Sequence, residues 1–137
     1  MAIKSRWRDQ FTQISNQSKF HEQVRDILCA GWWARFKAYQ EVPVAEICDY
    51  HNNSHRFDWY IPELNLVIEL HGIQHYRLTN RGNVGAGKAE RAFKAGQQRD
   101  RAKREAAEAA GYQYIEISYK SYNKLSEERL KEIVFHE

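Results

Sequence analysis

The chain has 137 residues, close to the commonest size of a single domain, which leaves no room for a motor or a dinucleotide-binding module beside a catalytic unit. Apolar residues make up 42% of it and Gly plus Pro only nine positions, which is globular usage and excludes a disordered tail protein. The formal charge of +3 does not by itself demand a polyanionic partner, but residues 70–111 carry nine Lys or Arg against four Asp or Glu while the remainder is net −2.

We expect one domain over 1–137, with residues 1–17 as an arm or short helix that mixes Trp7 and Phe11 with basic and amide groups. From Ser18, a suitable cap, Phe20, Val24, Ile27 and Leu28 recur at helical spacing until Gly31. Residues 32–44 are aromatic and β-branched, which suggests an edge strand closed near Pro43. Residues 49–55 are polar and turn-like. Phe57 to Ile61 reads as a strand stopped by Pro62, and Leu66 to His71 as a second strand stopped by Gly72, together a hairpin.

Residues 79–87 hold three glycines without a phosphate-loop or dinucleotide fingerprint and are expected to be a loop. Residues 89–110 are rich in Ala, Glu, Lys, Arg and Gln, the composition of a long helix, with a candidate interruption at Gly96 and a stop at Gly111. Tyr112 to Ile117 alternates as a strand, and residues 126–134 form a last helix. This order predicts an α/β fold, a mixed central sheet flanked by helices. Cys29 and Cys48 match no metal or redox spacing and are expected to be reduced core thiols. With no long apolar run and no secretion signal, a cytoplasmic protein with no membrane partner is expected.

Chemistry concentrates at the hairpin. Alternation puts Glu69 and His71 on one face of the most apolar strand and Ile68 and Leu70 on the other. Asp58 lies eleven positions before Glu69, and the intervening turn folds it back alongside. Taken singly, an Asp by a turn is usually a cap, a strand-end Glu is usually solvated, and a lone His is usually structural. Taken together they are hard to explain as fold chemistry, because an apolar strand gains nothing from unpaired polar groups. An Asp and a Glu held close repel unless a proton or cation lies between them, and hard oxygens suit Mg²⁺ or Mn²⁺, with the Leu70 carbonyl as a third oxygen.

The stretches Phe57-Asp58-Trp59-Tyr60-Ile61-Pro62 and Leu66-Val67-Ile68-Glu69-Leu70-His71-Gly72-Ile73-Gln74-His75 resemble the core of the restriction-endonuclease-like superfamily, with its Asp on one strand and Glu-x-Lys on the next. Here His71 stands where the lysine would be. His71-Gly72 with His75 beyond is similar to the very-short-patch mismatch-repair nicking enzymes and related homing endonucleases, in which an Asp on the later basic helix also contributes; Asp100 matches that place. Those relatives carry a Glu in the first helix, where this chain has His21 with Glu22 next to it. The mismatch-repair enzymes lack a Glu at the position of Glu69, which favours a general endonuclease over a mismatch-specific one.

The resemblance implies a restriction-endonuclease-like core and a DNA endonuclease, with Asp58 and Glu69 (and the Leu70 carbonyl) on Mg²⁺ and Mn²⁺ as a substitute. It makes His71 a general base or phosphate donor, and His75, Asp100, His21 and Glu22 further candidates for the site. An i,i+4 pair of Asp100 with Arg104 is the structural alternative for Asp100. Arg77, Arg99, Lys103 and Arg104 are expected on DNA phosphates. The chain would act as a monomer or homodimer. The competing readings are a catalytically silent DNA-binding module of the same fold and a protein-interaction factor.

Overall fold

The computed structural model describes Trp7, residues 19–72 and residues 86–136. Four strands form one mixed sheet in the order β1-β2-β3-β4: β1 Tyr39–Pro43, β2 Arg56–Ile61, β3 Leu66–His71 and β4 Gln113–Ser118. The first three are antiparallel neighbours, and β4 returns parallel to β3 after the long helix α3, Ala86–Ala109. Helix α1 (Lys19–Leu28) and helix α4 (Glu127–Phe135) cover one face, while α3 and the short α2 (Val44–Ile47) serve the other.

Strand alternation explains how one sequence feeds both layers. On β3, Leu66, Ile68 and Leu70 join Val24 and Leu28 of α1 and Leu130 and Val134 of α4, whereas Val67 packs with Phe57, Tyr60 and Ala107 on the side of α3. All six β3 residues are buried because the strand is central and covered twice. The hairpin turn is a 3₁₀ turn, Pro62–Leu64, closed by Asn65 in the left-handed region at φ 48°, where an Asn is tolerated.

Several expectations shift. Trp32 and Trp33 lie in a 3₁₀ turn, Gly31–Arg35, and only Tyr39–Pro43 is strand; the aromatic run marks burial, since Trp33 is fully buried with Nε1 on the Glu127 carbonyl at 3.2 Å. Gly31 is required there, because it sits at φ 55° and a Cβ would run into the Glu127 carboxylate, which accepts from the Trp32 N–H at 2.6 Å. Helix α3 passes Gly96 unbroken, as strong helix formers on both sides outweigh a glycine cost of about 1 kcal/mol. Both cysteines are free thiols, but Cys29 is exposed at the end of α1 and is not in the core; burial lifts the half-buried Cys48 to about 11. No helix among the described residues is long and apolar enough to cross a membrane.

Leu130 is fully buried against the sheet, so Leu130→Ala should cost roughly 2–5 kcal/mol in urea unfolding at an unchanged slope. A loss under about 1 kcal/mol would mean that α4 is not part of the cooperative core.

Candidate active site

The β2–β3 ladder pairs Ile61 with Leu66, Tyr60 with Val67 and Trp59 with Ile68, and its recorded pairs end there. The next positions in register are Asp58 and Glu69. In place of a backbone partner, the Leu70 N–H donates to Asp58 Oδ2 at 2.7 Å, so a side chain completes the hydrogen bonding where the ladder stops. Strand β2 also changes face at this point: Trp59 and Ile61 belong to the α1 side, Phe57 to the α3 side. Opposite Asp58, β1 passes Glu41 at φ 52°, an unusual backbone for a non-glycine residue.

Asp58 and Glu69 meet in the gap so formed. Each carboxyl faces a basic group: His21 Nε2 lies 3.3 Å from Asp58 Oδ1, and Lys103 Nζ lies 2.6 Å from Glu69 Oε1. Lys103 also donates to the Arg56 carbonyl at 2.7 Å, so one ammonium from α3 ties the start of β2 to the carboxylate of β3. The side chains of Glu69 and Lys103 are only 5% and 8% exposed, which makes this a buried ion pair and not a screened surface one.

The electrostatics divide the two acids. Burial opposes ionisation of Asp58, but hydrogen bonds from His21, from Glu69 and from the Leu70 N–H outweigh it and hold the carboxyl below the ordinary Asp range. Burial first, and then the Asp58 charge, push Glu69 well above its ordinary range against the pull of Lys103. The hydrogen bond to Asp58 raises His21, against burial, and burial with Asp58 raises Glu41.

A second tier lies on the same face. Parallel register puts Glu116 of β4 beside Glu69, and its Oε2 is 3.6 Å from Nδ1 of the buried His71. Arg104 reaches the other oxygen of Glu116 at 3.2 Å and lies 5.1 Å above the Tyr114 ring. Burial, then Glu69, Glu116 and Asp100, drive the Tyr114 hydroxyl far up.

The structure thus gathers Asp58, Glu69, His71 and His21, brings Lys103 onto Glu69, and adds Glu116 and Glu41, which the sequence did not single out. Lys103, expected on DNA phosphates, is buried against Glu69. Arg104 turns to Glu116 and Glu108 and not to Asp100. Arg99 is exposed on α3, Asp100 is half-buried one turn before Lys103, and Glu22 is exposed while its neighbour His21 enters the site. Leu70 contributes its N–H to Asp58 and its side chain to the core. His75 and Arg77 lie outside the described residues. A signal for Lys103 existed, since it stands four residues before Ala107 on the helix face that packs on the sheet; the φ of Glu41 left none.

Among the described residues no group of three His, Cys, Asp or Glu forms a ready metal cage. Two hard carboxylates forced together fit a divalent cation all the same, because Mg²⁺ is commonly held by one or two carboxylates with water and substrate phosphate completing its shell. No family model matches the chain, and no curated protein matches it significantly.

Two measurements check this electrostatic account. His21 should titrate above 6.5 by NMR and move back towards that value in Asp58→Asn; an unchanged midpoint would refute the pairing. Lys103→Met should cost about 3–5 kcal/mol at alkaline pH, where a buried Glu69 charge loses its partner. Because Glu69 is raised, it is neutral at lower pH, so that cost should shrink as pH falls towards the ordinary Glu range.

Proposed function

We propose that the chain is a metal-dependent DNA endonuclease with a restriction-endonuclease-like core. The observation that carries this reading is the buried Asp58–Glu69 pair at the end of a strand ladder with an ammonium fixed on it, two carboxyls perturbed in opposite directions as at functional sites. Asp58 and Glu69 would hold Mg²⁺, with Mn²⁺ as a substitute. When bound, such an ion lowers the pKa of water and offsets charge developing on a scissile phosphate.

The remaining work falls to side chains. Lys103, paired with Glu69 and donating to the Arg56 carbonyl, fixes the position of the Glu69 carboxylate. His71 is the general base: Glu116 on its Nδ1 side favours the tautomer with a basic Nε2, the nitrogen that accepts the proton of the attacking water. His21 orients Asp58 through its 3.3 Å contact. Arg99 on the outer face of α3 supplies a backbone phosphate contact, and binding is then steeply dependent on salt.

The test is cleavage of supercoiled plasmid with Mg²⁺ or Mn²⁺, repeated with chelator. Asp58→Ala and Glu69→Ala should lower cutting by at least about 100-fold, and His71→Ala by roughly 100-fold to 10,000-fold. Cutting at the parent rate by both carboxylate variants would refute the metal-site reading. A parent that only retards DNA under every condition would favour the silent binding module.

A further inference from the structure

Between residues 50–55 and the outer face of α3 runs a groove of about 640 Å³, within the usual range of ligand sites. Tyr50, His51 and His55 form one wall, and the opposite wall is low because Ala92, Ala95 and Gly96 present almost no side chain. The ring wall is braced from within. The Tyr50 hydroxyl and His55 Nδ1 are 2.7 Å apart, and the exposed His51 ring lies 4.6 Å from that of Tyr50 at a 42° tilt. Arg99 stands in the lining, exposed and charged.

We infer that this groove binds an unstacked nucleobase of single-stranded DNA next to the phosphate held at Asp58 and Glu69. The proposal rests on the nuclease reading for what the groove serves, but the groove itself is defined by its own geometry. Flat rings with a π-face and a planar guanidinium are the chemistry that holds bases without regard to sequence. The charge at one end is complementary to a strand backbone, because the exposed Arg99 guanidinium stands in the lining of the groove there. Its continuation past Tyr50 carries Asp49 and Glu105, which repel phosphate and confine the backbone to the Arg99 end. The chain links the groove to the carboxylates. Tyr50 lies within electrostatic reach of Glu69, and residues 50–55 lead directly into β2 and Asp58.

The experiment titrates a single-stranded oligonucleotide bearing 2-aminopurine with the full chain in the absence of divalent ions, alongside a fully paired duplex. Two variants are used, each at an exposed position: His51→Ala removes a ring, and Ala95→Trp fills the groove. Both should weaken single-strand binding roughly tenfold and leave duplex binding within about twofold. Parent-like single-strand binding by both variants would overturn the inference, as would an equal loss for single strand and duplex, which would mark a backbone contact only. Plasmid cutting by the same preparations separates the two claims. A parent that shows the single-strand effect but never cuts defeats the nuclease reading and leaves the groove; a parent that cuts while both variants bind as it does defeats the groove alone.

Discussion

Two carboxyl groups buried side by side cannot both be charged without compensation, and most of this molecule is arranged around that constraint. Asp58 and Glu69 occupy the first positions beyond the paired part of the β2–β3 hairpin, so the ladder ends where the charges begin. An imidazole from α1 and an ammonium from α3 answer them from two sides. Each answering group comes from a different layer, so the pair is also where α1, the sheet and α3 meet.

Helix α3 shows how little apolar surface an electrostatic anchor needs. The helix has 24 residues and few of them are buried, chiefly Ala89, Lys103 and Ala107. Its hold on the sheet depends on Ala107 packing against the side of Val67 and on Lys103 binding Glu69 and the Arg56 carbonyl. A buried ion pair contributes little net stability, because desolvation of both charges offsets their attraction, whereas removing one partner is costly. Lys103 is therefore better understood as a device that fixes the position of a charge than as a source of stability. In the proposed nuclease it brings to the carboxylates, from a helix, the ammonium that the related Glu-x-Lys pattern would place on the strand.

The two tiers of charge on the α3-facing side differ in accessibility. Glu69 and Lys103 are sealed, while Glu116 and Arg104 are partly open and braced by the Tyr114 ring. The polar seam therefore grades from buried at Glu69 to open at Arg104.

The elements themselves were legible from local physics. The period-2 alternation of residues 66–71 and the helical spacing of Phe20, Val24 and Leu28 depend only on backbone geometry, and so do the faces on which Glu69 and His71 fall. Local pattern could not tell the aromatic run at residues 32–36 from a strand, because large rings report burial and not backbone shape. Nor could it sort the cations of α3. Arg99, Lys103 and Arg104 read alike in the sequence, yet one is exposed, one is sealed on Glu69 and one is drawn to Glu116. The sequence alone determined β2, β3 and β4, the three longer helices and the nearness of Asp58 to Glu69, since a hairpin is a short-range object. Only the tertiary structure decided which cation neutralises them and that Glu116 and Glu41 stand by, because those partners come from distant segments whose approach is set by packing.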